Sequence, residues 1–210
     1  MGKELLVTLK RFFGLFRAGA GLPWTILLPL LVVVVSWPFL LNWLQNERTT
    51  FMVAFVLAMG LRLALRSDGA IRKIRSQISN RGTVIVALLF GPGVIAALIY
   101  IGEPIWCQRF LSLYFLGMSG LYLLDVIDGR HAMVQYFLPS KRNRGADGLM
   151  TRGMAIFHMA LLLLNETMIA QSNLTVWLVY FGLLPILSQR VLLALMRTVD
   201  EAYAKGYGRL

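Results

Sequence analysis

The sequence predicts an all-α protein, a polytopic membrane bundle of about six transmembrane helices preceded by an N-terminal amphipathic interfacial helix. Three observations carry this prediction. Of the 210 residues 58% are hydrophobic, with a mean hydropathy of +0.68, whereas a soluble domain of this size is about 45–50% apolar. The apolar residues gather into runs at roughly 22–44, 49–65, 82–101, 106–124, 153–171 and 174–196, each near the ~20 residues that a spanning helix needs. Lysine and arginine concentrate in every second connection, the pattern that sets membrane orientation. No run alternates with period two, so a β-barrel is not expected.

The first 21 residues form a domain of their own in this reading. Within 3–17, Leu5, Leu6, Leu9, Phe12, Phe13 and Phe16 recur at helical spacing, with Lys3, Lys10, Arg11 and Arg17 mostly elsewhere on the wheel. Such a helix lies in the interface with its apolar face in lipid. Gly19-Ala20-Gly21 ends it. Residues 22–197 then form the transmembrane domain, and 198–210 a cytoplasmic tail. The first apolar run is too long for a signal h-region and is not followed by a cleavage site, so it is expected to be retained. The second run is the shortest and carries Arg62 near its inner end, where a long side chain can snorkel to the headgroups.

Orientation follows from the basic residues. Lys3, Lys10, Arg11 and Arg17 precede the first run; Arg66, Arg72, Lys73, Arg75 and Arg81 follow the second. Arg130, Lys141, Arg142, Arg144 and Arg152 lie between the fourth and fifth, and Arg197, Lys205 and Arg209 follow the sixth. The intervening connections are short and poor in basic residues, with Arg48 and Arg109 at or near them. Both termini are therefore expected on the cytoplasmic side of a bacterial-type inner membrane. Trp43, Trp106 and Trp177 fall at the expected outer boundary and Trp24 at the inner one, as interfacial anchors.

The net charge of +11 reads as topology determinants and contacts to anionic lipid of the cytoplasmic leaflet rather than as a nucleic-acid face, because no soluble domain exists to carry one. The single cysteine, Cys107, excludes an intrachain disulfide and a cysteine-based metal cluster. No nucleophile–base pair, phosphate-binding glycine loop or well-spaced ligand set is present, so neither an enzyme nor a cofactor is expected.

Four groups stand out chemically. Asn165 and Glu166 lie in the outer third of the fifth run, and His158 is seven residues earlier on the same helix face. A carboxyl group in a membrane is expensive, so Glu166 reads as a proton site, a substrate contact or an interhelical lock, against the plain alternative of a hydrated interfacial position. His158 reads as part of a polar stripe, or as a lone histidine hydrogen-bonded to a neighbouring helix. Gly91-Pro92-Gly93 interrupts the third run. Such a break either lines a transporter cavity or is a packing kink. Asp125, Asp128 and His131, spaced by three at the end of the fourth run, are a candidate phosphate or cation contact, against the plainer reading of a solvated helix end. Asp128-Gly129 opens like the CDP-alcohol phosphotransferase signature, but the Ala-Arg pair and the later aspartates of that signature are absent. Gly117, Ser119 and Gly120 form a small-residue patch suited to close helix packing.

The last third of the chain resembles the intracellular septation protein A family, also called inner membrane-spanning protein. Asn165-Glu166 matches its Asn-Glu pair, Trp177 its following tryptophan and Leu184-Pro185 its later proline, while Gly148 and Arg152 occupy the places of its Gly-Trp and Arg-Trp pairs. The chain departs from the pattern at Leu149, Gly153, Met168 and Tyr180. The resemblance covers about 60 residues. It implies a small polytopic protein of the cell envelope, linked to envelope maintenance and division, without catalysis. A scaffold acting through helix–helix contacts with other inner-membrane proteins, or with its own copies, is therefore expected. The alternative is a small proton-coupled or lipid-moving transporter using Glu166.

Overall fold

In a computed structural model, the described residues are 10, 13, 14, 24–77, 92–137 and 144–204. Every regular element among them is helical: α1 (Trp24–Leu44), α2 (Glu47–Gln77), α3 (Pro92–Ile101), α4 (Pro104–Asp128), α5 (Ala132–Phe137), a 3-10 turn (Arg144–Ala146), α6 (Asp147–Gln171) and α7 (Leu174–Ala204). Four stretches, Leu27–Leu44, Pro104–Asp128, Asp147–Gln171 and Leu174–Glu201, are long and apolar enough to cross a membrane, judged by length and composition. The second expected run lies within α2. The third is represented by the ten-residue apolar helix α3, its first half lying outside the described residues. Of the expected interfacial helix only Lys10, Phe13 and Gly14 are described, and all three are helical.

Three boundaries differ from expectation. The basic stretch from Arg66 is helical as far as Gln77, and α6 begins at Asp147, six residues before the apolar run. Likewise α7 continues through the start of the expected tail to Ala204. In each case the helix continues past the apolar run through a polar segment, which hydropathy alone does not delimit.

The expected short connections are present. Gln45-Asn46, Gly102-Glu103 and Ser172-Asn173 each join two helices. Gln45 and Gly102 take left-handed backbone, with φ of 50° and 70°. Asn46 and Asn173 then cap the helices that follow: their side-chain oxygens accept the N–H of Thr49 at 3.1 Å and of Val176 at 2.9 Å. An asparagine cap supplies the acceptor that the first turn lacks.

The chain divides into two compact units. The first takes in residues 24–109 and 168–185, the second mainly 110–167 and 186–204. In the first unit α1 packs against α2. The buried face of α2 is Phe51, Ala54, Phe55 and Ala58, the spacing of a helix stripe. Phe51 and Phe55 meet Trp177 and Phe181 of α7, and Trp177 stacks on Phe181 with centroids 5.5 Å apart. Gly182 lets α1 approach closely: a Cβ there would lie 3.2 Å from the Leu30 Cα.

In the second unit the core is Tyr122, Val134, Met150, Met154 and Ala155, bordered by Met118, Met133, Leu192, Leu195 and Met196. Gly153 sits against Leu195, which would be 3.3 Å from an added Cβ.

Many large apolar side chains remain exposed, among them Leu31, Val35 and Phe39 on α1, Leu116, Leu121 and Leu124 on α4, and Ile156 and Leu163 on α6. Water-soluble monomers do not carry apolar surface on this scale. A bilayer accepts it.

Candidate functional site

The second unit places the polar residues of α6 on one buried face. Asp147, Thr151, His158 and Asn165 are buried there, together with Met150, Met154, Ala155 and Leu161. His158 and Asn165 share this buried face with Asp147 and Thr151, which the sequence alone did not single out.

Its outer part is a hydrogen-bond chain between two helices. Asn165, fully buried, donates through Nδ2 to the Ser112 hydroxyl of α4 at 2.8 Å. Ser112 in turn donates to Glu166 Oε1 at 2.5 Å. Adjacent residues on a helix point about 100° apart, so one hydroxyl can bridge both only from the groove between them. One turn-pair further along, Ser119 donates to the Ala155 carbonyl at 3.1 Å. Ser112 and Ser119 are seven residues apart and share a face. Their partners run in the opposite sequence direction, which makes α4 and α6 antiparallel across this seam. Four of the five groups are polar side chains that hydropathy alone would count against a membrane segment, and each has its partner here.

His158 departs from the expected interhelical hydrogen bond. Its Nδ1 lies 2.8 Å from the Met154 carbonyl of its own helix. A carbonyl can only accept, so Nδ1 carries the proton. The ring is held by aromatic neighbours: Tyr122 stacks at 5.3 Å, and Phe157 and Phe115 lie at 5.5 and 6.5 Å.

Asp125, Asp128 and His131 have separate tasks. Both Asp125 oxygens accept backbone N–H groups at the start of α5, from Ala132 at 2.8 Å and Met133 at 2.9 Å. His131 adopts left-handed backbone, φ 54°, between α4 and α5. Its Nδ1 is 3.2 Å from the Thr151 hydroxyl, and its Nε2 would be 3.3 Å from a Cβ at Gly148. Asp128 is exposed. Among the described residues no group of three or more His, Cys, Asp or Glu is placed to hold a metal ion.

The other expected positions fall in the first unit. Pro92 and Gly93 are exposed on α3, while Gly91 lies outside the described residues. Trp43 and Trp106 present exposed rings. The side chain of Trp24 lies outside the described residues. Trp177 needs a correction: it is 0% exposed, enclosed by Phe51, Phe55, Tyr180 and Phe181. It is a packing centre rather than a surface anchor. A tryptophan one turn past a helix cap occupies the same sequence position in either role.

Arg62 also differs from expectation. It does not snorkel away from the protein; its guanidinium lies 4.6 Å from the centroid of the Phe181 ring and donates to the Phe181 carbonyl at 3.3 Å. The cause is Pro185, inside α7. Proline has no N–H, so the carbonyl four residues earlier loses its helical donor. That carbonyl belongs to Phe181, and Arg62 supplies the missing hydrogen bond.

Sequence reasoning missed Ser112, Thr151 and Asp147 as members of the seam. The seven-residue interval between Ser112 and Ser119, which puts both hydroxyls on one face of α4, is the signal that could have marked that face. No protein-family model matches the chain, and neither curated proteins nor solved structures gave a match.

Proposed function

We propose that this chain is a non-enzymatic protein of the bacterial inner membrane, with both termini cytoplasmic, that scaffolds or assembles other membrane proteins in envelope maintenance or division. The observation that supports this reading is how α6 divides its residues. Its Asn165 and Glu166 side chains hold α4 through Ser112, while Ile156 and Leu163 stay exposed. An intramembrane carboxyl group engaged by a serine hydroxyl acts as an interhelical lock. The apolar faces left over are the surfaces available to other helices. The resemblance of the last third to the septation protein A family points the same way, and the alternating basic connections support the orientation.

The test is purification of the intact chain from native membranes in a gentle detergent, with mass spectrometry of what accompanies it. A stoichiometric inner-membrane protein partner is the expected result. In the same preparation Glu166→Ala lowers folded yield, whereas Glu166→Gln, which keeps an acceptor for Ser112, restores it. A chain that is recovered alone, and that moves protons across proteoliposomes only with Glu166 intact, overturns this proposal in favour of a transporter.

A further inference from the structure

The first unit carries a groove that the scaffold reading does not use. It is lined by Asn46, Arg48, Thr49, Met52, Val53, Val56 and Leu57 of the α1–α2 connection and α2, with Ile99 and Gly102 from the other wall, and has a volume of about 480 Å³. Its lining is graded along its length. Asn46, Arg48 and Thr49 form a polar end, and Met52, Val53, Val56 and Leu57 an apolar remainder. The second wall adds apolar Ile99 and, next to Gly102, the carboxylate of Glu103. There Arg48 Nη1 meets Glu103 Oε1 at 3.6 Å, with both side chains more than half exposed.

We infer that this groove binds one phospholipid with a zwitterionic, amine-bearing headgroup. The acyl chain lies along α2, the phosphate on Arg48 and the ammonium on Glu103. Two observations agree, one of length and one of charge. From Asn46 to Leu57 the chain advances about 16 Å at ~1.5 Å per residue, close to the thickness of one leaflet, half of a ~30 Å hydrocarbon core. The headgroup argument is one of charge. A surface that offers adjacent positive and negative groups matches a headgroup carrying both signs, and Glu103 opposes a headgroup that is only anionic. Gly102 contributes through its backbone: its φ of 70° turns the chain so that Glu103 stands beside Arg48. The site rests on the membrane character of the helices and is independent of any protein partner.

The experiment is native mass spectrometry of the full-length protein, stripped of lipid and then titrated in detergent with phosphatidylethanolamine or phosphatidylglycerol. One ethanolamine lipid per chain is expected to persist at activation energies that remove the glycerol lipid. Arg48→Ala weakens its retention about tenfold, the worth of one charge-assisted contact. Glu103→Gln removes the discrimination between the two lipids but keeps binding. Val53→Phe, which fills the apolar part and leaves both charges in place, expels the chain and lowers occupancy of both lipids. Thermal melts of each variant establish that the fold is intact. Equal retention of both lipids by the unaltered protein overturns the headgroup assignment. Retention unchanged in Arg48→Ala and Val53→Phe overturns the site. A cysteine at position 53 that cross-links to a second copy in lipid-free detergent replaces the lipid with a helix of another chain.

Discussion

The two units of this protein hold their helices together by different means. In the first, aromatic rings do most of the work: Phe51, Phe55, Trp177 and Phe181 stack and tilt against one another, with Ala54 and Ala58 letting the helices close in. In the second, small polar groups alternate with methionines, and the helices are stitched by Ser112, Ser119, Asp125, Thr151 and Asn165. Lipid tails are as apolar as leucine, so burying an apolar side chain between membrane helices gains packing but no hydrophobic transfer energy. Large flat rings maximise that packing. Hydrogen bonds instead fix register, because the Asn165 amide one turn out of place no longer reaches Ser112. One unit is thus built for contact area and the other for alignment.

Truncation should separate the two most sharply. Trp177→Ala removes the centre of the aromatic cluster and leaves a cavity, and is expected to lower stability more than either change below. The check is the thermal midpoint of the purified protein, read beside Trp106→Ala, whose exposed ring should leave it nearly unchanged. A similar effect from both would erase the distinction between a buried packing centre and a surface ring.

A smaller effect is expected at the seam. Asn165→Leu keeps volume but removes the donor to Ser112, and should cost about 1–2 kcal/mol, the range of hydrogen bonds between membrane helices. The alignment argument sharpens this prediction. Disulfide trapping between cysteines placed on α4 and α6 should spread over neighbouring registers in Asn165→Leu, whereas Trp177→Ala leaves that pattern narrow.

The most specific effect is the coupling between Arg62 and Pro185. Arg62→Met is expected to destabilise by about 1–3 kcal/mol, the cost of leaving a buried carbonyl unsatisfied. In a Pro185→Ala background the helix supplies its own donor, so the same substitution should cost measurably less. A double-mutant cycle on the thermal midpoints reads the coupling. Strict additivity would mean that Arg62 contributes through its position over the Phe181 ring alone.

These contrasts also mark what the amino-acid sequence displays. Apolar runs and basic connections locate α1, α4, α6 and α7, and the two-residue turns between helices follow from how closely the runs are spaced. Asn165 and His158 are visible because polar residues in an apolar run carry a known cost. Ser112 and Ser119 are not, since a hydroxyl in a helix can bond to its own backbone and shows no need for a partner. Trp177 reads as an anchor until Phe51 and Phe55, more than a hundred residues earlier, are placed beside it. Arg62 reads as an inner-end residue because the proline that calls for it is distant in the chain. What is hidden is pairing, which depends on which helices meet.

The bond from Arg62 to the Phe181 carbonyl spans 119 residues, and this distance has a consequence for biogenesis. A ribosome adds about 5–20 residues per second, so α2 emerges roughly 6–24 s before its acceptor exists. During that interval Arg62 waits for the ring and the carbonyl that it later meets. Meanwhile the later helix, once made, carries a carbonyl that its own backbone cannot satisfy. Each helix completes the other. Maturation of this protein should therefore include a waiting stage, in which α2 is made but not yet packed against α7. Chains truncated before Phe181 should be recognised as unfinished and degraded.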